Sequence, residues 1–458
     1  MPSYDAVVIG TGQSGPALAR RLVAAGRKVA IIERKLFGGT CVNTGCTPTK
    51  TLVASAYAAH IVRRASDYGV TVAGTPNVDM KAVKARKDSI VAASRNGVER
   101  SLKTLEGCTV YEGHGRFVAE KKVAVNGSEL AADQIFINVG ARAVIPPIAG
   151  LDRVPYLTNS SMMDIDFLPA HLVILGGSYI GLEFAQMYRR FGSEVTVIEL
   201  GPHLIPREDE DVAEAVADFL KDERIDVRVD SKVVEVEKQG NAIAVKVESA
   251  GKSSQVIGTH VLVAIGRRPN TDDLGLERAG IATDARGYIQ VDDQLRTNVP
   301  GVWAMGDCNG RGAFTHTSWN DFEIVAANLL DNDRRRLSDR ITAYALYTDP
   351  PLGRAGMTEA EVRKAGKPAL ISTLAMENVS RARERGETKG FMKVLVDRDS
   401  KQILGASFLG LAGDEVIHCV LDVMYAKAPY TVIQRAMHIH PTVSEFIPTM
   451  IGDLKPLQ

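Results

Sequence analysis

The sequence predicts an α/β fold in which two strand–turn–helix–strand units precede a C-terminal α+β domain. Two short apolar strands each run into a glycine-rich turn, at residues 10–15 and 176–181. A helical segment and a second apolar strand follow each turn, which is the pattern of a βαβ unit in a parallel sheet. From about residue 344 onward the pattern stops, and strand-like runs mix with a predicted helix near 414–426.

The bulk composition is that of an ordinary folded protein, with 458 residues, 45% hydrophobic and 24% charged. The formal net charge is zero, which gives no electrostatic reason to expect nucleic acid or an anionic membrane surface as partner. No apolar run approaches the roughly 20 residues needed to span a bilayer, and the first residues resemble a buried strand rather than a secretory leader. We therefore expect a cytoplasmic protein.

The first glycine turn matches the fingerprint of a dinucleotide-binding unit. Gly10 permits the tight turn, Gly12 lets the backbone approach a pyrophosphate, and Gly15 allows the helix to pack closely on the strand. Free N–H groups at the start of the helix favour phosphate binding. Glu33, at the end of the second strand, is placed to accept hydrogen bonds from a ribose diol. A glycine turn without a ligand is the alternative interpretation.

The second turn carries a weaker form of the same fingerprint, because Ser178 replaces the middle glycine between Gly176 and Gly181. Glu199 ends the second strand of this unit. A carboxylate there would repel the 2′-phosphate of NADP, and the next cation along the chain is Arg207. We therefore expect NAD(H) to be favoured over NADP(H).

Cys41 and Cys46 belong to the most informative motif, Gly-Gly-Thr-Cys-Val-Asn-Thr-Gly-Cys-Thr-Pro-Thr-Lys. On a regular helix the two residues would be separated by about 7.5 Å, at about 1.5 Å per residue, which exceeds normal disulfide reach. A bridge therefore needs a distorted turn, which Asn43 and Gly45 can supply. So small a loop restricts the unfolded chain little, so the bridge is better suited to redox chemistry than to stabilisation.

A helix predicted at about 49–65, with Pro48 in its first turn, puts Cys46 at a helix N-terminus. The helix dipole and the charge of Lys50 favour a thiolate there. Two ordinary buried cysteines are the alternative. No second pair has the spacing of zinc ligands, so we expect no metal site. Three further cysteines show no pairing by spacing and are interpreted as core or incidental residues: Cys108, Cys308 and Cys419.

The cysteine motif resembles the redox motif of the class I pyridine nucleotide–disulfide oxidoreductases. This family includes dihydrolipoamide dehydrogenase, glutathione reductase and mercuric reductase. The resemblance covers essentially the whole chain. Supporting segments lie at residues 113–115, 137–141, 304–307, 348–356 and 438–445.

The resemblance implies bound FAD and a different role for each cysteine. Cys46 is implied to be the flavin-proximal charge-transfer thiol, and Cys41 the interchange thiol that meets the substrate. Lys50 is implied to lie near the flavin ring and to pair with Glu183. The other residues implied to contact FAD are Gly39, Thr40, Gly115, Gly140, Asp307, Ala313, Phe314, Thr315 and His316. Two residues are implied to line the nicotinamide nucleotide site with the second turn, Val233 and Gly266.

The resemblance also implies a domain plan and a homodimer. The FAD-binding domain would comprise residues 1–148 and 270–342, the NAD(P)-binding domain 149–269, and the dimerisation domain 343–458.

The dimerisation domain is implied to lend His440 to the partner's active site, with Glu445 orienting the imidazole. This pair also makes chemical sense, because thiol exchange needs an acid–base group that titrates near neutrality. A histidine–proline turn at the surface is the alternative.

The substrate is less sharply defined. Residues 177–178 and 380–385 resemble the mercuric reductase branch, but the typical C-terminal vicinal cysteines are missing from the end of this sequence. Residues 136–141, 206–211 and 348–356 resemble relatives without those cysteines, among them a flavoprotein linked to reactive-chlorine resistance and copper(II) reduction. We therefore expect an NAD(P)H-dependent reductase of a metal ion or small disulfide. A dihydrolipoamide dehydrogenase and a redox sensor without turnover remain alternatives.

Overall fold

The first glycine turn follows a strand of a seven-stranded sheet. The computed structural model describes residues 2–74 and 77–457, so the predicted domain ends at residues 1 and 458 lie outside the described residues. Parallel pairing joins β3, β2, β1 and β6, and β5 and β4 continue the sheet in antiparallel fashion. The elements up to residue 143 are β1 (Ser3–Ile9), α1 (Ser14–Ala24), β2 (Val29–Glu33), α2 (Gly39–Asn43), α3 (Cys46–Arg63), α4 (Met80–Lys103), β3 (Cys108–Glu112), β4 (Arg116–Ala119), β5 (Lys122–Val125), β6 (Ser128–Ile137) and β7 (Ala141–Ala143).

The second glycine turn lies in a separate, five-stranded parallel sheet with the order β11-β10-β9-β15-β8. A three-stranded antiparallel sheet, β12-β13-β14, packs against it through a shared apolar core. The elements are β8 (Tyr156–Thr158), β9 (His171–Leu175), α5 (Tyr179–Phe191), β10 (Glu194–Ile198), α6 (Glu210–Asp222), β11 (Asp226–Arg228), β12 (Lys232–Gln239), β13 (Ala242–Ser249), β14 (Lys252–Gly258), β15 (His260–Val263) and β16 (Arg267–Pro269).

The chain then returns to the first sheet. Strand β17 (Val302–Ala304) pairs in parallel with β6, and β16 pairs with β7 in a separate two-stranded antiparallel sheet. Helix α7 (Thr315–Leu330) shares an apolar core with α1, in which Leu18 and Leu22 meet Phe322 and Val325. Residues from both sides of the second unit therefore build one sheet, although the boundaries after residues 148, 269 and 342 remain predictions.

The C-terminal part is a six-stranded antiparallel sheet, in the order β18-β19-β22-β21-β20-β23, with short helices around its own core. The predicted helix near 414–426 is present as two consecutive helices, with Ile417 between them in a helical conformation (φ −57°, ψ −26°). The elements are β18 (Ala343–Leu346), β19 (Leu352–Gly356), α8 (Glu359–Lys364), β20 (Ala369–Ala375), α9 (Ser380–Glu384), β21 (Phe391–Asp397), β22 (Ile403–Leu409), α10 (Gly413–Val416), α11 (His418–Tyr425), α12 (Thr431–Arg435), α13 (Phe446–Ile451) and β23 (Lys455–Pro456).

The predicted fold class is confirmed, with one correction at the cysteine motif. Helix α3 begins at Cys46, not at residue 49, and ends at Arg63. Pro48 is thus the third helical residue, where its missing N–H costs no helical hydrogen bond because the first N–H groups of a helix are unpaired. Throughout residues 2–74 and 77–457, each helix is too short or too polar to cross a membrane.

Candidate active site

Both glycine turns and both motif cysteines line one cavity of about 1640 Å³. The cavity is larger than the roughly 300–1,000 Å³ typical of a site for one small ligand. The site residues predicted from the sequence that line this cavity are Gly10, Gly12, Glu33, Gly39, Thr40, Cys41, Cys46, Lys50, Gly115, Gly140, Gly176, Ser178, Glu183, Glu199, Val233, Gly266, Asp307, Ala313, Phe314, Thr315 and His316.

The last glycine of each turn acts through packing, since Gly15 and Gly181 are absent from the residues found to line the cavity. A Cβ atom at Gly15 would lie 2.2 Å from the carbonyl oxygen of Gly10, and one at Gly181 would lie 2.1 Å from that of Gly176. Any larger residue would push α1 or α5 away from its strand. These two glycines therefore set how closely each helix N-terminus approaches the cavity.

The two acidic residues at the strand ends support the glycine turns. Glu33 accepts hydrogen bonds from the Thr11 N–H and hydroxyl at 3.1 and 2.5 Å, and from the Lys35 N–H at 2.8 Å. Glu199 accepts from the Gly177 and Gly201 N–H groups at 2.6 and 2.9 Å. A carboxylate has about four acceptor positions, so both groups retain capacity for a ribose hydroxyl.

A break in the helix separates the two cysteines, as their spacing predicted. Helix α2 ends at Asn43, whose side-chain amide donates to the carbonyl oxygens of Phe37 and Gly39 at 2.8 and 2.9 Å. Gly45 has φ −128° and ψ −119°, outside the helical region, and α3 starts with the next residue. The break puts both thiols on one cavity, where each shifts the pKa of the other.

The two thiols have opposite acidities. The hydrogen bond from Cys41 lowers the pKa of Cys46; burial opposes this, but the Thr315 hydroxyl, 3.0 Å from the Cys46 Sγ, and the Lys50 charge bring it to about 6. The same hydrogen bond, together with burial and the negative charge on Cys46, raises the pKa of Cys41. Near neutral pH the dithiol therefore carries its negative charge on Cys46.

Lys50 is held by an ion pair that joins the two nucleotide units. Its Nζ lies 2.8 Å from each carboxylate oxygen of Glu183 on α5, whose side chain is 7% exposed. The Lys50 Nζ also lies 4.3 Å from the ring centroid of Tyr347, and the Tyr347 N–H donates to Glu183 at 3.2 Å. The Lys50–Glu183 contact implied by the family resemblance is thus present, and its catalytic role remains a prediction.

Asp307 is paired with a cation that the sequence analysis did not single out. Arg267 Nη2 lies 3.0 Å from Asp307 and donates to the carbonyl oxygen of Ala141 at 2.7 Å. Burial raises the pKa of Asp307, and the Arg267 charge opposes that change. The Nε atom of Arg267 is buried and has no hydrogen-bond partner among the residues that the structure describes.

His440 and Glu445 contact each other but are not among the residues that line the cavity of their own chain. The imidazole Nδ1 lies 3.0 Å from Glu445 Oε2, and the His440 side chain is 75% exposed. Two apolar neighbours, Met437 and Ile439, are 99% and 80% exposed. The structure therefore keeps this pair apart from the cysteines of the same chain, at an exposed apolar surface.

The sequence analysis did not single out several cavity residues that lie within or next to its motifs. Tyr179 follows Ser178, Arg267 follows Gly266, and Tyr347 precedes the segment 348–356; all three line the cavity. Asn138 also lines it and accepts from the Gly15 N–H at 3.2 Å. The signal for Tyr179, Arg267 and Asn138 was position, because side chains just beyond the carboxyl ends of parallel strands face the ligand crevice. Tyr347 follows the antiparallel strand β18 and carries no such signal.

The remaining cysteines do not join the pair. Cys308 is fully buried, and its thiol donates to the carbonyl oxygen of Met305 at 3.3 Å. Cys419 lies 3.9 Å from the Ser444 hydroxyl, and burial raises the pKa of Cys108 to about 11. Within the described ranges, no cluster of His, Cys, Asp or Glu has a geometry that could hold a metal ion.

The cavity fits two dinucleotides. Glu33 and Glu199 lie at the ends of equivalent strands and have free acceptor capacity. At Gly140 and Gly266 the space where a Cβ would lie is open. The unpaired Nε of Arg267 offers a hydrogen bond to a polar ligand atom. These groups match a flavin dinucleotide in the first unit and a nicotinamide dinucleotide in the second.

Two parallel dinucleotide units that share a cavity with a cysteine pair define a flavoprotein disulfide oxidoreductase. Residues 4–321 match the family described as pyridine nucleotide-disulphide oxidoreductase, and residues 342–451 match its dimerisation domain. The chain belongs to the class I pyridine nucleotide–disulfide oxidoreductases. Members are FAD-dependent enzymes that use a pyridine nucleotide, and the dimerisation domain implies a homodimer.

Relatives with different acceptors are similar over nearly the full length. The chain is 36% identical to the probable pyridine nucleotide-disulfide oxidoreductase RclA of Escherichia coli K12, covering 99% of this chain and 100% of RclA. It is 34% identical to a Streptomyces lividans mercuric reductase (96% and 94% covered) and 32% identical to a Thermus scotoductus dihydrolipoyl dehydrogenase (97% and 96%). A solved Cu(II) complex of the HOCl-induced flavoprotein disulfide reductase RclA from Escherichia coli superimposes with a TM-score of 0.90 at 36% identity, covering 98% of this chain and 100% of that chain.

The acidity of Cys46 is testable in the reduced protein. Because its pKa is lowered to about 6, a thiolate should be present above that pH and become protonated below it. Thr315→Val removes one donor and should raise the pH at which the thiolate appears by roughly one pH unit. The thiolate absorbance near 240 nm, followed against pH in dithiol-reduced protein, measures this.

Cys108→Ser is the matched control, because a thiol with a pKa of about 11 contributes no thiolate below pH 9. That variant should keep the parent titration. A parent thiolate that appears only near the usual thiol pKa of about 8.5 would contradict the account of Cys46.

Proposed function

We propose that the chain is a reductase that takes electrons from NADH and delivers them, through FAD and the Cys41–Cys46 pair, to a metal ion or small disulfide. The observation that carries this proposal is the common cavity, which both glycine turns and both motif cysteines line. The residue roles named in the sequence analysis are part of the proposal, as are the domain boundaries and a cytoplasmic location.

The residues around the reduced cysteine pair favour a thiolate on Cys46 and a thiol on Cys41. FAD, when bound, supplies the redox relay between the nicotinamide and the cysteine pair. Thr315 and Lys50 keep Cys46 deprotonated, while Cys41 retains its proton. Glu183 fixes the Lys50 ammonium group through both carboxylate oxygens. Cys41 then needs a base before it can attack an acceptor.

Exchange with a disulfide acceptor proceeds in two balanced steps. Cys41 loses its proton to the imidazole of His440 of the partner subunit, and its thiolate attacks one acceptor sulfur. The expelled thiolate takes the proton back from the imidazole. The Cys46 thiolate then attacks the Cys41 sulfur, releases the second acceptor thiolate and forms the Cys41–Cys46 disulfide. The dithiol loses two electrons and the acceptor gains two.

A metal ion is the other acceptor class that we propose. A thiolate pair is a soft ligand set that suits ions such as Cu(I) and Hg(II). The similarity to RclA, solved as a Cu(II) complex, and to mercuric reductases supports this class. The similarity to dihydrolipoyl dehydrogenases keeps the opposite direction, dithiol to NAD, as the second candidate.

Acceptor preference can be measured by anaerobic NADH oxidation with purified holoenzyme. We expect turnover with Cu²⁺, Hg²⁺ or a small disulfide other than lipoamide to exceed lipoamide reduction by about tenfold or more, equivalent to about 1.4 kcal/mol of barrier. Cys41→Ser should reduce turnover to background, because acceptor reduction runs through that sulfur. Cys308→Ser serves as the matched control and should keep the parent rates. Dihydrolipoamide oxidation by NAD faster than every NADH-driven reduction would favour the second candidate instead.

Preference for NADH rests on the charge of Glu199. Glu199→Gln keeps an acceptor for the Gly177 N–H but removes the charge that repels a 2′-phosphate. We expect the ratio of kcat/KM for NADH over NADPH to fall by roughly tenfold. Glu194→Gln, on the same strand but 80% exposed, should leave the ratio unchanged. An unchanged ratio in Glu199→Gln would show that this carboxylate does not select the nucleotide.

The contribution of His440 across the dimer can be tested with mixed dimers. Alone, His440→Ala should slow dithiol exchange by about 10²-fold, the range of one acid–base group, and Cys41→Ser should abolish it. A dimer of one subunit of each kind regains one complete site, so co-expression should restore activity. As a control, the double variant Cys41→Ser/His440→Ala is co-expressed with Cys41→Ser. This mixed dimer contains no Cys41 and should restore no activity. Failure of the first mixture would mean that His440 does not act in trans.

A further inference from the structure

Two buried cations of the six-stranded sheet hold the loop that precedes α6. Arg354 on β19 and Lys393 on β21 are each 1% exposed. The Arg354 Nε donates to Glu208 Oε2 at 3.0 Å, and its Nη2 lies 3.2 Å from Asp209. The Lys393 Nζ also lies 3.2 Å from Asp209. Removing one partner of such a buried pair leaves an uncompensated charge, so this loop is fixed to the C-terminal sheet.

Charges within the cluster reinforce one another. Burial opposes ionisation of Asp209, but Lys393, the Glu359 N–H and Arg354 together hold the pKa of Asp209 below its usual range. Burial likewise disfavours the Arg354 guanidinium, and the charges of Glu208 and Asp209 outweigh that effect and raise the pKa of Arg354. Asp209 and Arg354 therefore stay charged together.

Glu208 extends this hold to the cavity. Its second oxygen, Oε1, accepts a hydrogen bond from the Tyr179 hydroxyl at 2.9 Å. Tyr179 is the first residue of α5, directly after Ser178 of the second glycine turn, and it lines the cavity. The Tyr179 ring contacts Tyr344 and Phe314 edge-on, with centroids 5.5 and 6.3 Å apart. The Glu208 carboxylate thus links Arg354 of the C-terminal sheet to Tyr179 at the N-terminus of α5.

We propose that Arg354 is a positioning residue for the nicotinamide nucleotide, because it fixes Glu208 and, through Glu208, the Tyr179 ring beside the second glycine turn. This inference rests on the proposed binding of that nucleotide at the second turn. A ring with a fixed hydroxyl presents one surface to the ligand, whereas a released ring must be ordered when the ligand binds, at a cost in conformational entropy. The C-terminal sheet would then set nucleotide affinity as well as forming the dimer.

Calorimetric titration of NAD⁺ into oxidised holoenzyme tests the proposal without turnover. We expect Arg354→Met, Glu208→Gln and Tyr179→Phe each to raise the Kd for NAD⁺ by roughly three- to tenfold, the range expected for loss of one ordinary hydrogen bond. The double variant Arg354→Met/Tyr179→Phe should bind no more weakly than the weaker single variant, because both substitutions break the same link. Arg354→Lys, which retains the charge, should recover part of the affinity.

Lys393→Met is the matched control, because Lys393 contacts Asp209, Asp211 and Glu359 but not Glu208. It should lower the melting temperature and keep the parent Kd. If Arg354→Met does not fold, Tyr179→Phe and Glu208→Gln still decide the question. Parent-like or tighter NAD⁺ binding in these two variants would overturn the positioning role.

A blocking variant separates this inference from the proposed function. Ser178→Phe places a bulky side chain in the second turn and should abolish NAD⁺ binding. If Ser178→Phe binds NAD⁺ like the parent, the placement of the nucleotide is wrong, and the inference fails with it. If Ser178→Phe abolishes binding while the Tyr179, Glu208 and Arg354 variants bind like the parent, the placement holds and the positioning role alone fails.

Discussion

The interaction between the thiols of Cys41 and Cys46 gives them opposite acidities, and the helix break between them maintains it. Both thiols face one cavity because the helix is interrupted between α2 and α3, just after Asn43. The Asn43 side chain donates to the carbonyl oxygens of Phe37 and Gly39 at the start of α2. The interruption also makes Cys46 the first residue of α3, so the helix dipole adds to the charge of Lys50. One sulfur is thereby kept as a thiolate and the other as a thiol.

The Lys50–Glu183 ion pair gives this local chemistry its place in the fold. Lys50 belongs to α3, next to the first glycine turn, and Glu183 belongs to α5, which begins at the second. The glycine contacts at Gly15 and Gly181 hold α1 and α5 close to the buried strands that precede them. The ion pair therefore joins α3 to a helix whose position is set by close backbone packing.

The sequence was most informative where function depends on neighbours along the chain. Both βαβ units, the distorted turn between the cysteines and the position of Cys46 at a helix start follow from local patterns. The contacts of Arg354 with Glu208 and of Arg267 with Asp307 join residues far apart in sequence, and no local periodicity signals them. The helix predicted near 414–426 is present as α10 and α11, which Ile417 joins in a helical conformation. Acceptor choice depends on the shape of the cavity near Cys41, which short motifs do not specify.

The central claim, that electrons pass onto the Cys41–Cys46 pair, is tested most directly by anaerobic reductive titration of the holoenzyme. A disulfide accepts two electrons, so the parent protein should take up about one two-electron equivalent per subunit more than Cys41→Ser/Cys46→Ser before reduction is complete. Equal uptake by the two proteins would contradict the account, because the pair would then lie outside the electron path.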